Sequence, residues 1–169
     1  TIVQLIAKSK RPKTIDKVID AIFQIQGGYA LVMLTQNSLI GVRDPYGIRP
    51  LVIGKLGSSY VLASETCAFD IIGAKFIREV ENGEIVLIEK NELKSIKPFP
   101  LKKVRPCVFE YIYFSRPDSL IGGKTAYEHR KNLGRELAKE SKIDADIVVP
   151  VPDSGNAAAM GFAQELKMN

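Results

Sequence analysis

A chain of 169 residues has room for one domain, or for two small or incomplete ones. Its composition, 46% hydrophobic and 25% charged, is that of an ordinary globular protein, and no apolar run approaches the roughly 20 residues of a membrane-spanning helix. The net charge is +5; the two cysteines, Cys67 and Cys107, do not make a disulfide framework, and a reducing cytoplasmic compartment is the expectation.

In chain order, Ile2, Leu5 and Ile6 have helical spacing, so Thr1–Ser9 is predicted as the tail of a helix. Thr14 to Gln26 is predicted as a second helix. Its stripe is Ile15, Val18, Ile19, Ile22 and Ile25, its N-cap Thr14, and its stop Gly27-Gly28. The period then changes. Tyr29–Leu34 reads as a buried strand and Leu39–Arg43 as a second. Further strands are predicted at Leu51–Lys55, Tyr60–Ala63, Lys75–Val80, Glu84–Glu89 and Leu93–Ile96, with a short helix over Thr66–Ile72. Turns this short make the strands mostly antiparallel, because parallel neighbours need a long crossover.

Lys97 to Pro106 holds Pro98, Pro100 and Pro106 and reads as a connection between domains. An aromatic-rich segment follows, Cys107–Ser115. A helix is predicted over Tyr127–Lys139 with Leu133 and Leu137 on one face. A buried strand is predicted at Asp146–Pro152, and an Ala-rich helix at Asn156–Lys167. Helix, buried strand, loop, helix is the pattern of a parallel α/β domain, here incomplete after one strand. The expected fold is therefore α+β followed by α/β.

The informative loop is Pro150-Val-Pro-Asp-Ser-Gly155, between that strand and helix. Strand ends in open α/β sheets bind ligands, and the first N–H groups of a helix favour an anion. Ser154 adds a hydroxyl, and Gly155 lets a phosphate approach the backbone. One reading is a phosphate or pyrophosphate loop. The other is an ordinary turn with Asp153 or Ser154 as N-cap. Elsewhere, His129 reads as solvent-facing in a charged helix and Cys67 as core. Cys107 reads as core, or as a metal ligand or thiolate beside Lys102, Lys103 and Arg105. Asp44 reads as stabilising a Pro/Gly turn, with Arg43 as its partner. The basic clusters read as solvated surface. They carry only Phe99 among aromatics, so nucleic acid is not expected as a partner. No zinc spacing, Walker loop or dinucleotide fingerprint is present.

Several segments carry a resemblance. Gly28-Tyr-Ala-Leu-Val-Met-Leu34, Arg43-Asp-Pro-Tyr-Gly-Ile-Arg-Pro-Leu51 and Ala63-Ser-Glu-Thr-Cys67 resemble the later half of a class II (N-terminal-nucleophile) glutaminase domain. Cys107-Val-Phe-Glu-Tyr-Ile-Tyr-Phe-Ser-Arg-Pro-Asp-Ser119, with Val149-Pro-Val-Pro-Asp-Ser-Gly155, is similar to the amidophosphoribosyltransferase family. The resemblance implies 1–97 as the later part of an αββα glutaminase domain and 98–106 as a linker. It implies 107–169 as the start of a type I phosphoribosyltransferase domain.

The implied reaction transfers ammonia from glutamine to phosphoribosyl pyrophosphate, giving 5-phosphoribosylamine, glutamate and pyrophosphate, as the first step of purine synthesis. An activated cysteine would attack the glutamine amide. Neither that cysteine, nor the oxyanion residues, nor the ribose loop is among these residues, so an interior piece, inactive alone, is expected. The resemblance carries Asp153, Ser154 and Gly155 over as the pyrophosphate loop, Ser154 as a Mg²⁺ position, and Cys107 as a [4Fe–4S] ligand of some members. It also implies a homo-oligomer for the whole protein; the lack of a long apolar run makes a membrane partner unexpected. Two alternatives stand beside it: a non-catalytic regulatory or assembly remnant of the same fold, and another class II amidotransferase.

Overall fold

The computed structural model describes residues 2–141 and 143–168. Two compact units emerge. One runs to Ser64 and resumes over Ile72–Pro106; the other takes Glu65–Ile71 and runs on from Cys107. The sequence-based division at 97 and 107 differs from this in two respects. A short stretch of the first half of the sequence folds with the second unit, and the Pro-rich connection folds with the first.

The first unit opens with α1 (Ile2–Lys8) and α2 (Thr14–Ile22), Thr1 lying outside the described residues. The N-cap of α2 is Lys13, not Thr14, and no hydrogen bond from a side chain closes that end. Seven strands follow: β1 (Ala30–Leu34), β2 (Leu39–Arg43), β3 (Val52–Leu56), β4 (Ser59–Ala63), β5 (Lys75–Glu79), β6 (Ile85–Glu89) and β7 (Glu92–Ile96). They form a four-stranded sheet in the order β1-β2-β6-β7 and a three-stranded sheet in the order β4-β3-β5. Every pairing is antiparallel.

Alternation along β2 and β6 sets the layering. Ile40, Val42, Ile85 and Leu87 point to Val18 and Ile22 of α2. Val86 points the other way and packs with Ile53 of β3 and with Leu51 and Val80, which flank β3 and β5. The order is helix, sheet, sheet. Gly41 lies on the inter-sheet face, where a Cβ would come within 2.7 Å of Leu62 Cδ1, so the missing side chain admits that leucine. The expectation of a buried strand over Tyr29–Leu34 is corrected here. As an edge strand β1 exposes Val32 and Leu34, because the second sheet's core reaches only to Ala30.

The second unit contains α3 (Cys67–Ile72) save its last residue, a π-helical turn over Glu110–Phe114, and the hairpin β8 (Leu120–Ile121) and β9 (Lys124–Thr125). It ends with α4 (Ala126–Glu140) and α5 (Asn156–Leu166). A reciprocal capping box starts α4. The Thr125 hydroxyl accepts from Glu128 N at 3.1 Å, and the Glu128 carboxylate accepts from Thr125 N at 3.0 Å. The buried face of α4 is Ala126, Arg130, Gly134 and Ala138. The predicted Leu133/Leu137 face is instead half exposed. The small residues win because α4 crosses α5 at backbone contact. A Cβ on Gly134 would collide with the Ala158 carbonyl, and one on Gly161 with the Lys131 carbonyl.

The predicted buried strand at Asp146–Pro152 is not a strand. It joins no sheet among the described residues, and Ile147, Val149 and Val151 are exposed by 64%, 74% and 82%. A strand becomes regular only by pairing, and no described strand pairs with this segment. Asn169 lies outside the described residues. No helix among them is long and apolar enough to cross a membrane.

Candidate functional site

The loop from Pro150 to Gly155 runs directly into α5. Gly155 N donates to Val151 O at 3.2 Å and Asn156 N donates to Asp153 O at 3.2 Å, so two successive turns bring the backbone onto the helix axis. The Pro152–Asp153 peptide is cis. Gly155 is the N-cap, in right-handed helical conformation. The need for glycine there is steric: a Cβ would lie 2.5 Å from Val151 O. The segment is a turn, but the N-cap is Gly155 and not Asp153 or Ser154, and α5 starts without a hydrogen bond from any side chain; that part of the turn reading is corrected. Among the described residues the Asp153 carboxylate and Ser154 hydroxyl hydrogen-bond to nothing. Asp153 is exposed and Ser154 half-buried, one residue before a helix start whose first N–H groups lack intrahelical partners.

Cys107 is a free, half-buried thiol and Cys67 a free, buried one. No group of three or more His, Cys, Asp or Glu side chains among the described residues is placed to hold a metal. Cys67 Sγ faces the Glu65 carboxylate at 3.9 Å. His129 is not solvent-facing. Its Nε2 lies 2.9 Å from the Ile121 carbonyl and its ring packs edge-on against Tyr111, so it braces the hairpin and the aromatic segment. Arg130, buried, donates Nε to Tyr111 O at 2.9 Å and Nη2 to Ser115 O at 2.7 Å. A charged donor thus serves carbonyls of the π-helical turn, and the aromatic run Phe109–Phe114 is anchored by its backbone.

Glu65 and Thr66, for which the sequence predicts no role, hold the approach to α4. One oxygen of Glu65 accepts from Arg116 N and from Ser119 Oγ, both at 2.7 Å. The Thr66 hydroxyl accepts from Leu120 N at 2.8 Å. The partners lie 51 and 54 residues apart in sequence, so no local pattern announces them.

In the first unit Asp44 is fully buried. Its Oδ1 accepts from Tyr46 N (3.0 Å) and Ile48 N (3.1 Å), its Oδ2 from Arg49 N (3.0 Å) and Tyr29 N (3.4 Å). The predicted Asx-type role holds and is larger than expected. Arg43 does not pair with it. Its guanidinium donates to Arg49 O, Val80 O and Glu79 Oε2 instead, at 2.9, 2.6 and 3.2 Å. The acid takes the loop's N–H groups and the base its carbonyls. Burial, and then the Asp44 charge, push the Tyr29 phenol up to about 12.

Residues 1–70 match the family model of a glutamine amidotransferase domain. The chain is 54% identical to the amidophosphoribosyltransferase of Rhizobium etli, across 97% of this chain and 34% of that protein. It is 47% identical to that of Bacillus subtilis (88% and 31%), and 45% identical to chloroplastic amidophosphoribosyltransferase 1 of Arabidopsis thaliana (96% and 29%). Among solved structures, the glutamine phosphoribosylpyrophosphate amidotransferase of B. subtilis, complexed with ADP and GMP, matches at TM-score 0.94 and 44% identity. The match covers 99% of this chain and 37% of that one. A structure described as the allosteric regulatory enzyme of purine biosynthesis matches at TM-score 0.95 and 44% identity (99% and 36%). The chain thus spans about a third of the length of the relatives it matches. In sequence and in fold it belongs to the amidophosphoribosyltransferase family.

Proposed function

We propose that this chain is part of an enzyme that transfers glutamine-derived ammonia to phosphoribosyl pyrophosphate, at the entry to purine synthesis. Glutamine hydrolysis breaks the carboxamide bond between carbon and nitrogen and leaves glutamate. The ammonia lone pair then forms the C1–N bond of 5-phosphoribosylamine, and the C1–O electron pair departs with pyrophosphate. On this reading the helix–sheet–sheet unit is the later half of a class II αββα glutaminase domain. The second unit is the start of a type I phosphoribosyltransferase domain.

The observation that carries the reading is the loop ahead of α5. Among the described residues the side-chain oxygens of Asp153 and Ser154 accept no hydrogen bond, and Gly155, where a Cβ would meet Val151 O, lets the loop run directly into the start of α5. Such a loop suits the pyrophosphate of the substrate: N–H groups and a hydroxyl to hold it, and the helix start to favour its charge. Mg²⁺ fits the donor set. Magnesium takes hard oxygens, keeps several waters, and is held by few protein ligands together with substrate phosphates. Ser154 and Asp153 would hold it there, directly or through its waters, and the ion would neutralise charge on the leaving pyrophosphate. A [4Fe–4S] cluster does not fit the described residues by themselves. It takes four thiolates, and Cys107 and Cys67 are two.

The test is Ser154→Ala and Asp153→Asn in the full-length protein that carries this segment. Each substitution removes a charged or charge-assisted contact of roughly 1.5–3 kcal/mol, so KM for phosphoribosyl pyrophosphate rises about tenfold or more. Glutamine hydrolysis without the sugar phosphate stays unchanged. A KM within twofold of the parent in both variants refutes the assignment of the loop.

A further inference from the structure

We infer that Glu65 and Thr66 form a clasp that makes residues 65–71 an integral part of the second unit, so that two further passages of backbone besides the Pro-rich connection tie the units together. The chain leaves the first unit at Ser64, gives Glu65–Ile71 to the second, and returns at Ile72. It passes over again after Pro106. The clasp is made of strong contacts. A single carboxylate oxygen accepts a backbone N–H and a hydroxyl at 2.7 Å each, and the neighbouring hydroxyl accepts a second backbone N–H at 2.8 Å. Bonds to an ionised acceptor are the short, strong kind. Ser119 and Thr66 are buried, so water does not replace these partners at no cost.

The position of the clasp gives it a purpose. Arg116 and Leu120 bracket the turn that ends the aromatic segment. Within that turn Pro117 O accepts from Tyr127 N, and Ser119 O accepts from Ala126 N, both in the first turn of α4. Holding 116–120 therefore sets where α4 begins, and α4 in turn packs on α5, whose first residues follow the candidate pyrophosphate loop. Glu65 is a positioning residue. It lies in the stretch that resembles a glutaminase, yet it organises the unit that carries the phosphate loop.

The test uses the full-length protein that carries this segment, with a site for a sequence-specific protease inserted after Leu101. That residue is 99% exposed, in a segment without regular structure. After cleavage the two pieces are expected to co-elute on size exclusion at micromolar concentration, held by residues 65–71 of the first piece. With Glu65→Ala the dissociation constant rises roughly a hundredfold, two charge-assisted bonds being lost. Ser119→Ala, which removes one donor and keeps the carboxylate, raises it about tenfold and covers the case in which Glu65→Ala does not fold. In the uncleaved protein the Arg116 amide loses hydrogen-exchange protection in Glu65→Ala while the β6 amides keep theirs. The inference is overturned if the parent pieces separate. It is overturned equally if the Glu65→Ala and Ser119→Ala pieces bind as tightly as the parent's, or if the Arg116 amide exchanges alike with and without Glu65.

Discussion

Replacing Asp44 by asparagine exchanges one carboxylate oxygen for an NH₂ group at a fully buried side chain that holds four backbone N–H groups. Both carboxylate oxygens accept, each from two backbone N–H groups. An amide keeps one acceptor oxygen. Whichever way it is turned, its NH₂ faces two donors, so two bonds are lost and donor opposes donor. If the lost pair is that of Oδ2, at 3.0 and 3.4 Å, the longer bond counts for less. Bonds to a charged acceptor contribute about 1.5–3 kcal/mol each, so the substitution costs roughly 2–5 kcal/mol. That is a large part of the roughly 5–15 kcal/mol typical of a domain. For a unit of about 100 residues each kcal/mol moves Tm by about 4–8 °C, so the expected drop is roughly 10–30 °C. Thermal unfolding followed by far-UV circular dichroism measures it, and amide exchange at Tyr46, Ile48 and Arg49 localises it. A variant melting within about 3 °C of the parent would show that this buried carboxylate does not organise the 44–49 turn.

Two further outcomes follow from the packing and the buried charge. Gly134→Ala places a methyl on the Ala158 carbonyl, a backbone atom that cannot swing away, so α4 and α5 must separate. Overpacking of this kind costs about 1–3 kcal/mol, whereas Leu133→Ala on the half-exposed face costs under about 1 kcal/mol; urea midpoints of the two variants compare them, and equal costs would contradict the crossing. Glu84 is buried, which opposes its ionisation, but bonds from Arg78, Ser95 and Glu81 N outweigh burial and hold its carboxyl below its ordinary 4.5. A lowered folded-state pKa gives stability that is present above the unfolded value and is lost as pH falls through the folded one. Urea midpoints should thus fall from about pH 4.5 downward, and Glu84→Gln, less stable at neutral pH, should lose part of that slope; an unchanged slope contradicts the assignment.

Local chemistry made much of the architecture legible. The period-2 runs and their turns located all seven strands of the first unit, because side-chain alternation and Gly/Asn turn residues act over a few positions. The loop at 150–155 was legible as the passage into a helix for the same reason. The Thr125-x-x-Glu128 capping box is a local signal too, although it was not among the predicted caps. Errors fell where the neighbour decides. Leu133 and Leu137 look like a core stripe until α5 is seen to approach through Gly134. The apolar alternation over Ile147–Val151 does not make a strand here, since Ile147, Val149 and Val151 meet no partner among the described residues.

The sequence by itself determined the order and kind of most elements, the antiparallel character of the first unit, and the family, since these rest on short-range pattern and on runs of matching residues. Only the tertiary structure decided that Asp44 gathers four N–H groups while Arg43 turns to the carbonyls. Only it placed Glu65 and Thr66 on a turn more than fifty residues away. Hydrogen-bond geometry of that kind is set by which backbone atoms converge in space, and convergence across long separations leaves no periodicity in the sequence to read.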